Sequence, residues 1–175
     1  MRTRAALVTT IMLFALVTGV FWGTWFALSR TMERLAPETF LAVGHEMIGN
    51  LGGPMAVLMP LSLLSALVTV ALLRGRPAFW WVLAGLGLMV VALVVTLAVE
   101  VPIDNRIQVW TVATLPADWR AIQARWELFH TIRTFVSIAA LLAVTIGAVP
   151  AAGAYRAAKP EVGMAVPSSS TTRPS

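Results

Sequence analysis

Four apolar runs alternate with polar stretches along the chain. Ala5 to Leu28, Met55 to Leu73 and Ala78 to Val99 contain no charged residue. A fourth run begins inside a polar segment near residue 129, becomes wholly apolar at Phe135 and ends at Val149. About 20 apolar residues in helical form cross a hydrocarbon core roughly 30 Å thick. Four spans are therefore expected, at about 5–28, 55–73, 78–99 and 129–149. The first is too long for a secretory signal core of roughly 7–15 residues, and it ends in bulky Trp22, Trp25 and Phe26. It reads as a retained span.

The connections divide the spans. Ser29 to Asn50 is polar, and Pro37-Glu38 has the form of a helix start. Phe40, Leu41, Val43, Met47 and Ile48 then recur at helical spacing, which predicts an amphipathic helix at the membrane surface. Leu51-Gly52-Gly53-Pro54 is expected to break it from the second span, and Pro60 to kink that span. Arg74-Gly75-Arg76-Pro77 predicts a tight turn. Asp104 and Asn105, after Pro102, are expected to shape a turn through side-chain to backbone bonds. Gly19 and Gly23 form a G-x-x-x-G pair suited to close helix packing, expected within the chain. From Ala157 the sequence is rich in Pro, Ser and Thr and reads as a disordered tail. The predicted architecture is an all-α, four-helix transmembrane bundle over 1–156, followed by a tail over 157–175.

The helix entering the fourth span has two distinct faces. At about 100° per residue, Trp119, Gln123, Trp126, His130, Arg133 and Ser137 fall within an arc of about 80°. Leu128, Ile132, Phe135 and Ala139 lie opposite. One stripe is aromatic and polar, and the other suits lipid. A helix from Ala117 to Val149 is about 50 Å long, so its first turns must rise above the core or lie at its edge.

Composition agrees with a membrane protein: 58% of residues are hydrophobic and 12% charged, against about 25% charged in soluble domains. The net charge of +5 comes from scattered arginines rather than a basic cluster, so no nucleic-acid partner is expected. With no cysteine there is no disulfide framework and no thiolate chemistry. Charge also orients the spans. Arg2, Arg4, Arg74, Arg76, Arg156, Lys159 and Arg173 share one side with a single acid, Glu161. The opposite side mixes six arginines with seven acids. By the positive-inside rule, both termini are expected in the cytoplasm, in a cell (inner) membrane, with a polar and aromatic cap at the outer leaflet.

That cap gathers the residues able to do chemistry. Span one ends there at Trp22 and Trp25, span two begins after His45 and Glu46, span three ends at Glu100, and span four begins with Trp126, His130 and Arg133. Ionisable residues at spanning depth normally face the bundle interior and mark function. His130 on a polar face near a carboxylate suits a proton acceptor, and Arg133 can pair with Glu100 or reach for headgroups. His45, His130 and Glu100 have the composition of a two-histidine, one-carboxylate metal site. They come from three segments with no spacing signature, so no metal or other cofactor is expected. No phosphate loop, zinc motif or nucleophile elbow is present.

The box VPIDNRIQVW, followed by LPADW and RWELFHTIRTF, resembles the anthrone-oxygenase-like family of small four-span membrane proteins. GVFWGTWFALSRTM, ETF and the glycine-proline entry to span two also fit, so the resemblance covers roughly residues 10–148. Some fungal members oxidise anthrones to anthraquinones. The resemblance implies a role for the box residues Asn105, Trp110, Trp119, Arg125, Trp126, His130 and Arg133. It further implies an oxygenase without a cofactor, acting on an aromatic, phenol-like, membrane-soluble substrate. Such an enzyme needs a base (His130), a cation for the developing oxyanion (Arg133 or Arg125, with Glu100 as counter-charge) and flat aromatic walls (Trp119 and Trp126, with Trp110, Trp22 and Trp25 nearby). The rival reading is a non-enzymatic membrane subunit, or a binder of a small lipid or quinone. A transporter is disfavoured, because no inverted repeat is evident.

Reporter fusions at Ser175 and within the 102–116 loop are expected to report opposite sides of the membrane, with Ser175 inside. Fusions reporting the same side would overturn the four-span arrangement.

Overall fold

The computed structural model describes residues 1–157, and the expected tail beyond Ala157 lies outside them. The described chain forms α1 (Arg2–Met32), α2 (Pro37–Leu72), α3 (Ala78–Val95), a π-helical turn (Thr96–Glu100), α4 (Val101–Ile107) and α5 (Trp119–Ala157). No strand occurs among the described residues. Helix α3, the π turn and α4 join end to end, so four segments are long and apolar enough to cross a membrane: Arg2–Ser29, Pro37–Leu72, Ala78–Ile107 and Trp119–Val149. The chain is an all-α, four-helix transmembrane bundle. The ends of α1, α4 and the starts of α2 and α5 meet at one end in a cap.

The expected break at Leu51-Gly52-Gly53-Pro54 is absent. Helix α2 runs unbroken from Pro37 to Leu72, through both Pro54 and Pro60, and the predicted surface helix is simply its first part. In hydrocarbon, a broken helix leaves several backbone groups unbonded at several kcal/mol each, whereas a proline removes one donor. At 36 residues the helix is about 54 Å long, so it spans the core and rises well into the cap.

The expected turn after Pro102 is also helical. The buried positions of the third span are Ala78, Val82, Gly85, Met89, Ala92, Glu100, Ile103 and Ile107. In a plain α-helix, a residue eight positions after Ala92 falls about 80° off its face. The widened π turn between Thr96 and Glu100 absorbs that excess and returns Glu100 to the buried seam. Its local cause is Pro102, which offers no N–H to the carbonyl four residues earlier.

Lipid supplies no hydrophobic drive between helices, so close packing and interhelical hydrogen bonds hold the bundle. Helices α3 and α5 approach most closely where glycine removes a side chain. A Cβ on Gly85 would meet Val144 Cγ2 at 2.6 Å and the Ala140 carbonyl at 2.9 Å, and one on Gly147 would meet Trp81 Cβ at 2.9 Å. Between α1 and α2, Thr10 Oγ1 lies 2.8 Å from Ser65 Oγ and 2.9 Å from Thr69 Oγ1. Between α1 and α5, Thr18 donates to the Ser137 carbonyl at 3.2 Å. Gly19 and Gly23 do not pack within the chain: a Cβ on either meets nothing within 4 Å, because that face of α1 points out of the bundle. The cap has its own core, built from Met32, Phe40, Leu41, Ile103, Ile107, Trp119 and Trp126.

Gly85→Leu is expected to destabilise the bundle by about 1–3 kcal/mol through overpacking, visible as a lower melting temperature in detergent. Gly19→Leu, which adds volume into open space, should leave the melting temperature nearly unchanged. Equal effects at the two positions would contradict this packing.

Candidate functional site

The polar stripe of α5 faces inward as its periodicity predicts: Trp119, Gln123, Trp126, His130, Arg133 and Ser137 are all buried. Leu128, Ile132 and Phe135 are exposed on the opposite face. The stripe meets the third span at the π turn, and there the chain buries charge. Glu100 is 0%, His130 1% and Arg133 8% exposed.

Arg133 joins the parts. Its Nη2 lies 2.9 Å from Glu100 Oε2, and Nη1 donates to Thr96 Oγ1 at 3.1 Å. Its Nε approaches His130 Nδ1 at 3.1 Å and its Nη2 the same atom at 2.8 Å. Its guanidinium sits over the Phe21 ring of α1, 4.5 Å from the centroid. Glu100 is held by charge rather than by well-aligned bonds: neither carboxylate oxygen has a hydrogen-bond partner among the described residues.

This geometry fixes the histidine. A guanidinium only donates, so Nδ1 accepts and the ring proton of neutral His130 sits on Nε2. Nε2 makes no well-formed hydrogen bond, although the Phe21 backbone stands near enough to interact with the ring. The ring itself is clamped by stacking on Trp126, with centroids 4.8 Å apart and planes 7° from parallel. Trp126 in turn donates from Nε1 to Asp104 Oδ1 at 2.9 Å. Asp104, on α4, thus joins the site four residues after Glu100. From sequence alone Asp104 is expected only to shape a turn. Its spacing from Glu100 was the available signal, since residues four apart share a helix face once Pro102 is allowed inside a helix.

Beside this network lies a cavity of ≈ 380 Å³, within the range of small-molecule sites, roughly 300–1,000 Å³. Asp104, Trp126, His130, Arg133, Thr96 and Thr24 form its polar part. Met47, Met55 and Met59 of α2, with Phe21 of α1, supply apolar wall. Glu100 does not line it and stands behind Arg133. A second, much smaller void of ≈ 20 Å³ lies on the cap side of Trp126, lined by Asp104, Gln123 and Glu127 among others.

Not every expected residue reaches this place. Trp22 and Trp25 pack outward against Phe26 and Phe135, and Trp25 Nε1 donates to Thr131 Oγ1 at 3.0 Å. Trp119 belongs to the cap core, packed on Phe40 and covered by Arg120. Asn105 and Arg125 are exposed, Arg125 lying over Phe129. Trp110 packs against the cap core. His45 is elsewhere too: its Nε2 contacts the Ile107 carbonyl at 2.7 Å. Among the described residues no three His, Cys, Asp or Glu side chains stand together as a metal site, so His45, His130 and Glu100 do not form the triad their composition suggested.

Residues 47–143 match the model of a protein family described as anthrone oxygenase. No curated protein and no solved structure matches the chain.

Removing one member of a buried ion pair strands the other, at about 3–5 kcal/mol. Arg133→Met is therefore expected to lower the stability of the bundle by several kcal/mol. Arg133→Met combined with Glu100→Met, which removes both charges, should recover most of the loss, because paired apolar replacement is often nearly neutral. Thermal unfolding in detergent measures both. A double variant no more stable than the single one would show that the pair does not act as a unit.

Proposed function

The chain belongs to the anthrone oxygenase family, and on that footing we propose that it is a cofactor-independent oxygenase acting on anthrone-like or phenolic molecules dissolved in the membrane. The observation that carries this reading is the cavity. It is large enough for a small aromatic molecule, walled by methionine and aromatic side chains, and polar where Asp104, His130 and Arg133 line it.

An anthrone is a carbon acid. Loss of one proton from its methylene carbon leaves an anion whose charge rests largely on the carbonyl oxygen. That carbanion passes electrons to O₂ and forms a C–O bond, giving a peroxide anion that takes up a proton. Loss of the second methylene hydrogen then expels water and leaves a second carbonyl. Substrate plus O₂ becomes quinone plus water, with O₂ as the oxidant throughout. The protein must accept a proton, stabilise an oxyanion and exclude bulk water.

His130 is the base expected from sequence, but that role needs a free ring lone pair. Arg133 occupies Nδ1, and Nε2 carries the proton. We therefore assign the base to Asp104. Its Oδ1 accepts from Trp126, and no described residue bonds its other oxygen. His130, whose Nε2 is buried, acts through Nδ1 and helps to position Arg133. Arg133 supplies positive charge in a low-dielectric setting, where a preorganised charge acts most strongly. Glu100 and Thr96 hold Arg133 in position, and Trp126 gives the flat wall.

Asp104→Asn keeps an acceptor for Trp126 and removes the base, so anthrone oxidation should slow by about 10²–10⁴-fold. His130→Gln can still accept from Arg133 through its amide oxygen and should slow it by less than about tenfold, whereas loss of a general base would reach the larger range. The reverse pattern would return the base role to His130. The assay is O₂ uptake by purified protein treated with chelator. Activity that disappears on chelation and returns with iron or copper would overturn the cofactor-free mechanism. Anthrone binding without oxidation would leave a lipid or quinone binder.

A further inference from the structure

The cavity must be reached from somewhere, and its lining indicates where. A residue that both lines a cavity and is exposed on the outside of the protein stands at its opening. Five lining residues meet that condition: Gly52, Ala56 and Pro60 of α2, Leu97 of the π turn and Val101 of α4. The lining residues from α1 and α5, including Val20, Phe21, Trp126, His130 and Arg133, are buried or half-buried. The opening therefore lies in the seam between the second and third spans.

That seam faces hydrocarbon. The rim residues 52, 56 and 60 follow one another at one-turn spacing on one face of α2. They lie in a stretch of α2 without charge from Leu51 to Leu72. Leu97, 58% exposed, and Val101, 38% exposed, form the opposite lip, and the third span carries no charge from Ala78 to Val99. Exposed Val57, Leu61, Leu64, Val91 and Val94 continue the apolar surface around it. The first charged groups inside are Asp104 and Arg133, on the cavity wall.

Small residues keep this seam open where elsewhere they close one. At Gly85 a Cβ would collide with α5, but at Gly52 it meets nothing within 4 Å. Gly52 lines the cavity yet fills none of it. Ala56, one turn on, adds a single methyl group. We propose that Gly52 and Ala56 on one side, and Leu97 and Val101 on the other, frame a lateral mouth. Through it a neutral, largely apolar aromatic molecule enters the cavity directly from the bilayer, its one polar group leading to the Asp104–Arg133 end. The nature of the molecule rests on the function proposed above; the position of the mouth does not.

The test uses the whole protein in lipid vesicles and a bilayer-dissolved aryl diazirine as probe, so that its readout is independent of oxidation. Photolysis should label Met55 or Met59 inside the cavity and Val57 or Leu61 on the outer face. Gly52→Trp or Ala56→Trp should reduce labelling inside at least fivefold and leave labelling outside unchanged. Gly53→Trp is the control: Gly53 is exposed, meets nothing within 4 Å and does not line the cavity, so labelling inside should persist. Undiminished labelling in both mouth variants would overturn the proposal, as would equal loss in the Gly53 control. If either mouth variant fails to insert, the other carries the test; if both fail, Leu97→Trp narrows the opposite lip. In an anthrone assay the mouth variants should raise KM for substrate dissolved in the same vesicles. Loss of labelling inside in the mouth variants, with no oxidation by the unsubstituted protein, would retain the mouth and reject the oxygenase.

Discussion

Arg133 carries a charge into a bundle whose surroundings are lipid, and much of the site follows from how that charge is held. A buried guanidinium needs a counter-charge and partners for its donors, or it destabilises the fold by several kcal/mol. Glu100, Thr96, His130 and the Phe21 face provide these from three different segments. One residue thus fastens α1, the third span and α5 to one another. The same contacts decide the chemistry available. By donating to Nδ1, Arg133 fixes the histidine tautomer, and by drawing Glu100 behind itself it leaves Asp104 as the carboxylate on the cavity wall.

Bringing Glu100 to that position required an irregular helix. The π turn is a local departure from the cheapest backbone, placed where an extra residue must be absorbed to keep both Ala92 and Glu100 buried. Such turns occur disproportionately at functional sites. Here the reason is geometric: without it, either Glu100 leaves the seam or Ile103 and Ile107 leave the cap core. Pro102 lowers the cost of the widening, since its missing donor already disturbs the preceding turn.

Glycine acts in opposite ways at the two seams of the third span. Against α5, Gly85 and Gly147 let backbones approach to the limit of contact, and close packing is the main source of cohesion between helices in lipid. Against α2, Gly52 and Ala56 leave space unfilled beside a cavity. Which outcome a small residue produces depends on whether the partner helix closes over it, and residue type alone does not specify that.

The amino-acid sequence by itself determined the four helices, because span length and lack of charge are set by the thickness of hydrocarbon. It also determined the inward face of α5, since a 3.6-residue period leaves Trp126, His130 and Arg133 no other side to occupy. The resemblance carried by VPIDNRIQVW and RWELFHTIRTF placed the chain in the right family. Tertiary structure alone decided the rest. Local propensity breaks a chain at Gly52-Gly53-Pro54 and turns it at Pro102, but in lipid the cost of unbonded backbone overrides both preferences. Trp22 and Trp25 share an end of the bundle with the site yet point away from it, because the rotation of α1 is fixed by its contacts and not by its own pattern. Asp104 became a site residue only when the third span stayed helical through Pro102, and the proton on His130 was decided by a partner one turn along the helix whose guanidinium had to be folded inward to reach it.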